Sequence, residues 1–174
     1  MTLYRDRGTA KRPKRPGAKF IDVYSLKVRL TGGPLTEAFQ KANPLVERTI
    51  EMRGDQTLHE LHKAIFRAFE REEERLYQFD FEATAHDPVA KVFVRQKTDG
   101  VQNERIAADQ TLMFLRLKVA DTFQYLFDFE ANWKHAIDVL AIEREATGAR
   151  YPRIKDEVGA SPLQLPAQDF VIRL

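Results

Sequence analysis

Four histidines, one tryptophan and no cysteine set the side-chain chemistry open to this 174-residue chain. The lack of thiols excludes disulfides, thiolate metal sites and a cysteine nucleophile, and it fits a reducing compartment. His59 and His62 stand three apart in a stretch with helical spacing, which puts both on one side of a helix. Together with Asp128 or Glu130, such imidazoles could ligate zinc or another divalent ion, and His86 and His135 complete the set. However, His62 falls in phase with Leu58, Ile65 and Phe69, and His135 with Trp133 and Ile137. Histidines in such phases are more often packed than ligating, so no metal and no cofactor is expected. Asp128 and Glu130, two apart on one face of an expected strand, could split their pKa values for acid–base hydrolysis. Acids at that spacing are more often just a polar strand face. Arg48 lies on the apolar phase of its strand with Val46, Ile50 and Met52. A guanidinium there needs a structural partner, a place at the sheet rim with its head in water, or a ligand, because an unpaired buried charge costs several kcal/mol. Arg48, His62, Asp128, Trp133 and His135 are therefore the candidate pocket. There is no Gly-x-Ser-x-Gly elbow, no Walker loop and no Gly-x-Gly-x-x-Gly, so serine-nucleophile, phosphoryl-transfer and dinucleotide chemistry have no support.

The elements that must position these residues are legible from periodicity. Tyr24, Leu26, Val28 and Leu30 alternate with polar residues, which predicts a strand with one buried face, stopped at Thr31-Gly32-Gly33-Pro34. Leu35 to Ala42 allows a short helical turn, and Val46 to Met52 a second strand. Thr57 and Glu60 have capping-box spacing and open the clearest helix, whose stripe of Leu58, Leu61, Ile65, Ala68 and Phe69 should pack on the sheet. Glu70 to Arg75 reads as a solvated helix end and loop. Strands are expected over 76–81 and 91–95, with a capped helical turn after Asp109-Gln110-Thr111. Phe123, Tyr125, Phe127 and Phe129 predict one strand, and Trp133, His135, Ile137 and Val139 another, joined by a hairpin loop at Glu130-Ala131-Asn132. The segment from Tyr151 to Pro166 reads as irregular, with an edge strand over Phe170 to Ile172. The order strand, strand, long helix, several strands predicts an α+β fold, with one main helix across a mixed, β-grasp-like sheet in a single domain of residues 20–174.

Net charge is only +2, but it is unevenly spread. Residues 1–19 hold Arg5, Arg7, Lys11, Arg12, Lys14, Arg15 and Lys19 against Asp6, leaving 21 bases and 25 acids in the remainder. The composition of 1–19 is that of a disordered basic tail, either an arm for nucleic-acid phosphates or a solubilising terminus. No apolar run approaches the roughly 20 residues that span a membrane, and the N-terminus lacks the apolar core of a secretory signal, so the expected location is cytoplasmic.

Several stretches in order resemble the plasmid pRiA4b ORF-3-like family. They are Tyr24-Ser25-Leu26-Lys27-Val28, the run Arg48 to Leu58, Leu61-His62-Lys63-Ala64-Ile65, Leu76-Tyr77-Gln78-Phe79, and Asp109-Gln110-Thr111-Leu112. The run Phe123 to Phe129, Trp133 with His135, and Gly159-Ala160-Ser161-Pro162 continue the likeness. The chain departs from the family pattern at Glu47, Arg75, Glu130, Ala131 and Leu163, where Trp, His, Gly-Asp and the second Pro of a Pro-Pro pair are usual. The resemblance implies the α+β fold and an association with plasmids and insertion elements, and it carries no established activity. The function expected is a non-enzymatic binding or accessory protein, contacting nucleic acid through the basic arm or engaging another protein. The alternative is a small metal-dependent or hydrolytic enzyme with a site near His62, Arg48 and Asp128.

Overall fold

The structure is a computed structural model that describes residues 20–82, 91–95, 108–146 and 148–164. Its strands are β1 (Phe20–Gly32), β2 (Glu47–Arg53), β3 (Tyr77–Phe81), β4 (Lys91–Arg95), β5 (Thr122–Phe127), β6 (Trp133–Ala146) and β7 (Arg153–Val158). They form one seven-stranded sheet in the order β4-β3-β5-β6-β1-β2-β7. Helix α1 (Glu37–Ala42) lies between β1 and β2, and α2 (Leu58–Ala68) between β2 and β3. The α+β class expected from the sequence holds. Every pairing among the described strands is antiparallel, so the expected mixed sheet is corrected. A mixed sheet needs at least one parallel pair. The long β6 instead lies between β1 and β5 and pairs antiparallel with both.

The core forms where the α2 stripe meets the apolar phases of the strands. Leu58, Leu61 and Ile65 of α2 are buried with Leu26 and Val28 of β1, Ile50 and Met52 of β2, Phe79 of β3, Phe123, Tyr125 and Phe127 of β5, and Ile137 of β6. Removing that apolar area from water is the main drive for this arrangement. The capping box is complete: Thr57 Oγ1 accepts from Glu60 N at 3.2 Å, and Glu60 Oε2 accepts from Thr57 N at 2.8 Å.

The end of α2 decides where the next residues point. Glu70 N–H donates to Arg67 O and Arg71 N–H to Phe66 O, with Glu70 at φ 52°. This is a Schellman closure, with a glutamate in the left-handed position that usually holds glycine. It reverses the chain after Phe69 and turns Arg71 back under the helix end.

Elsewhere the expected turn after Thr111 is a single 3₁₀ turn over Leu112–Leu115. Thr111 occupies its cap position without a side-chain cap bond. Instead, Leu112 N–H is held by Gln56 O, and Thr111 bridges to Thr57, which docks the turn beside the start of α2. The segment after Tyr151, read from sequence as irregular, contains β7, an edge strand exposed along its whole length. The edge strand expected over Phe170 to Ile172 lies outside the described residues.

Candidate functional site

All five residues of the expected pocket are interior, with exposures of 3% for Arg48, 0% for His62, 6% for Asp128, 0% for Trp133 and 1% for His135. They are not the walls of one open cleft. Ring contacts join three of them, Arg48 to His135 through Phe69 and His135 to His62 through Tyr125, while Trp133 lies under Arg71 and Asp128 sits in the β5–β6 turn.

Arg48 projects from β2 toward the end of α2. Its Nε donates to Ala68 O at 2.9 Å, Nη1 to Glu47 O and Val158 O at 2.7 and 2.9 Å, and Nη2 to Ser161 Oγ at 2.9 Å. The guanidinium also lies 5.1 Å from the Phe69 ring centroid, and Glu157 is 3.9 Å away. Arg48 thus satisfies one of the carbonyls that the end of a helix leaves open, and ties the chain beyond β7 to that helix. It answers the burial problem by a dense set of acceptors rather than at the rim.

His62 faces the sheet from α2. Its Nδ1 meets Tyr125 Oη at 2.8 Å, its Nε2 meets Glu74 Oε2 at 3.1 Å, and its ring stacks on Tyr77 at 3.7 Å. One turn earlier, His59 Nδ1 meets Tyr77 Oη at 2.8 Å. The two histidines share a side of α2 as their spacing predicts, each held by a tyrosine hydroxyl. His86 lies outside the described residues. Among the described residues no group of three or more His, Cys, Asp or Glu is placed to hold a metal ion.

Asp128 corrects the sequence expectation. β5 ends at Phe127, and Asp128 has φ 57°, so it is not on the polar face of a strand with Glu130. Its Oδ1 accepts from Glu130 N and Ala131 N, both at 3.2 Å, and its carbonyl accepts from Asn132 N at 2.6 Å. The carboxylate is spent in closing the β5–β6 hairpin, which Asn132 completes with φ 59°. Phe129, expected in the core phase, is consequently exposed at 46%. Arg75, standing where the family usually has histidine, approaches Asp128 Oδ2 at 3.9 Å and pairs with Glu73.

Trp133 and His135 share the inner face of β6. Trp133 Nε1 donates to Gln164 O at 3.1 Å. Its ring also fills the space over Gly33, where an added Cβ would lie 2.2 Å from the indole at a backbone φ of 149°. Gln164 Oε1 in turn accepts from Glu72 N and Glu73 N, at 2.8 and 3.0 Å, and Nε2 donates to Glu73 O at 2.8 Å. Residues 161–164 are thereby strapped across the end of α2. His135 packs edge-on to Phe69 at 4.9 Å and beside Tyr125 at 5.3 Å, and neither ring nitrogen has a hydrogen-bond partner. Burial first, and the charge of Arg71 second, pull its imidazole down to about 3. The backbone of Tyr125 and Trp133 favours the charged form slightly, without reaching hydrogen-bonding geometry.

The residue that the sequence did not disclose is Arg71. It is only 7% exposed, its guanidinium lies 4.0 Å over the Trp133 ring, and Nη1 donates to Pro162 O at 3.2 Å. Nη2 is buried without a partner. Burial pulls the guanidinium down to about 10, opposed by Tyr125 and Asp128. Within an acidic run such an arginine looks solvated. The turn that buries it depends on Glu70 adopting a left-handed conformation, for which no glycine gives a signal.

A seven-stranded antiparallel sheet, one long helix docked across it and buried polar residues at that helix's end define the class of α+β protein to which the chain conforms. Residues 23–164 match the family described as plasmid pRiA4b ORF-3-like protein, and the chain belongs to that family. The match closes at Gln164, the residue that clasps the strap. The fold is similar to the crystal structure of a protein of unknown function from Methanosarcina mazei Go1. That likeness has a TM-score of 0.63 and 22% identity, and covers 84% of this chain and 74% of that one. No curated protein matches the chain. No helix among the described residues is long and apolar enough to cross a membrane.

Proposed function

We propose that the protein is a non-enzymatic binding or accessory protein that contacts nucleic acid through Arg5, Arg7, Lys11, Arg12, Lys14 and Arg15. The observation that carries this reading is the contrast between residues 1–19 and the rest of the chain. On the domain, Arg29 pairs with Asp138 at 3.0 Å, Arg53 with Asp55 at 2.6 Å, and Arg153 and Lys155 both with Glu51 at 2.6 Å. Seven of the chain's 28 bases fall in the first 19 residues beside a single acid, and the remainder is net acidic. Phosphate contacts release counterions, so the logarithm of affinity should fall with the logarithm of salt by roughly 0.7 to 0.9 per contact. Titrating single- and double-stranded oligonucleotides against the full chain and against a chain lacking residues 1–19 tests it. Binding that weakens with salt and disappears on deletion supports the reading. No binding at low salt ends it.

The enzyme reading keeps one supporting observation. Tyr125 Oη, His62 and Glu74 are joined at 2.8 and 3.1 Å, with Glu74 64% exposed, so a proton path runs from the interior to solvent. A hydrolase screen in which activity is lost in His62→Gln, while the variant keeps the wild-type Tm, would favour it.

A further inference from the structure

We propose that the 3₁₀ turn over Leu112–Leu115 is a stacking platform for single-stranded nucleic acid, set beside the root of the basic arm. The turn is pinned rather than loose. Leu112 and Leu115 are buried, Leu112 N–H donates to Gln56 O at 3.0 Å, and Met113 N–H donates to Gly54 O at 2.9 Å. Met113 and Phe114, between those two anchors, are 56% and 61% exposed. An ordered turn that holds a thioether and a benzyl ring in water presents adjoining apolar surface, and such surface marks a contact site.

Its position says what it would meet. Gly54 N–H donates to Asp22 O at 2.7 Å, so one glycine is clasped between Asp22 of β1 and Met113 of the turn. A Cβ added at Gly54 would lie 3.3 Å from Asp22 O and 3.4 Å from Met113 Cβ. Two residues before Asp22, in phase with it and with Tyr24, stands Phe20, which is 55% exposed. Residues 1–19 join the domain at that residue. Charge then separates the occupants. Arg116, Lys118 and Asp22 are exposed around the turn, and Asp121 Oδ2 accepts from Lys118 N at 2.8 Å. Two bases against two acids give no net pull on phosphate or on an anionic membrane, so the patch offers ring faces rather than charge. A nucleobase has an uncharged π face, and its stacking on an aromatic ring tolerates any sequence. In a duplex those faces are already covered by neighbouring pairs. Phosphates go to the arm and bases to Phe114 and Phe20. This division rests on the reading of residues 1–19 as a phosphate-contacting arm, and narrows their partner to single strands.

The test is fluorescence anisotropy of a labelled oligodeoxythymidine and of its duplex, titrated with the full chain, Phe114→Leu, Phe114→Tyr and a chain lacking residues 1–19. Phe114→Leu keeps apolar area and removes the ring. It should lower single-strand affinity roughly tenfold, with duplex affinity and salt slope unchanged, and Phe114→Tyr should retain the wild-type value. Single-strand affinity unchanged in Phe114→Leu, or an equal loss on duplex, overturns the platform. If deletion of residues 1–19 abolishes binding while Phe114→Leu does not weaken it, the platform fails and the arm stands. No binding by the full chain ends both. Phe114-dependent sedimentation with phosphatidylserine vesicles, without preference for single strands, assigns the patch to lipid and overturns the proposal as well. Should Phe114→Leu not fold, photo-crosslinking of the wild type to a bromodeoxyuridine strand decides it. Adducts at Phe114 or Phe20 support the platform, and adducts confined to residues 1–19 overturn it.

Discussion

Two arginines are buried at the same end of α2, and they are treated in opposite ways. Arg48 comes up from β2 and meets four acceptors, three of them backbone carbonyls. Arg71 comes back from the Schellman turn, covers Trp133 and meets one. Both lie over an aromatic ring, and both reach the chain beyond β7. The difference is therefore not burial or packing but the number of acceptors within reach. Saturated coordination makes Arg48 part of the framework. Under-coordination leaves Arg71 with donor capacity to spare.

This contrast can be broken most directly at Arg48. Arg48→Met should leave the Ala68, Glu47 and Val158 carbonyls short of a donor and cost about 3 kcal/mol, at roughly 1 kcal/mol or more per stranded group. Urea unfolding would measure it, and a loss under about 1 kcal/mol would remove the distinction between the two arginines. Next in size is Gln164→Ala, which frees the backbone of Glu72 and Glu73 and loosens the strap, for about 2 kcal/mol in the same assay.

A pH series sharpens the Arg71 side. With its folded pKa pulled from 6.5 to about 3, His135 stays neutral where the unfolded chain would take up a proton. Stability should therefore fall as pH drops from 6.5 toward 3, with a slope of up to about 1.4 kcal/mol per pH unit from this one group. In His135→Leu that one-proton slope should vanish between about pH 6 and pH 5, as read from unfolding curves at each pH. The smallest effect is expected at Arg71 itself. Arg71→Met exchanges a buried, sparsely hydrogen-bonded guanidinium for a thioether of similar length and should change stability by about 1 kcal/mol or less, of either sign. A loss as large as that of Arg48→Met would show that Arg71, too, is framework.

How much of this could be read beforehand depended on how local the signal was. β1, β2 and α2 were legible because their patterns are short-range: alternation around Leu26 and Val28, and the Thr57–Glu60 box at the start of one apolar stripe. β7 was not, because an edge strand exposed on both faces has no alternation to show, and its ladder with β2 is broken by a register shift at Thr49/Ile50. The place of β6 between β1 and β5 is a long-range pairing that no window of sequence contains. At the site, the inward phases of Arg48, His62, Trp133 and His135 followed from periodicity. Asp128 and Arg71 did not, because each hinges on a non-glycine residue with positive φ, Asp128 itself and Glu70. The alternation of β5 carried Asp128 one residue too far along the strand, and the acidic run around Arg71 read as a solvated helix end and loop.

The contact between Gly33 and Trp133 has a consequence for how this sequence can change over generations. Any side chain at position 33 would occupy space the indole already fills, and would do so from a backbone conformation that side chains resist. Replacing the tryptophan by something smaller would remove only the first obstacle, and would also strip Arg71 of its stacking partner and release the carbonyl of Gln164. The permitted order of substitutions is thus one-way: position 133 must give before position 33 can, and the strap must find another anchor before position 133 gives. A history of that kind would leave traces at three places far apart in the chain, which is a prediction about lineages rather than about one molecule.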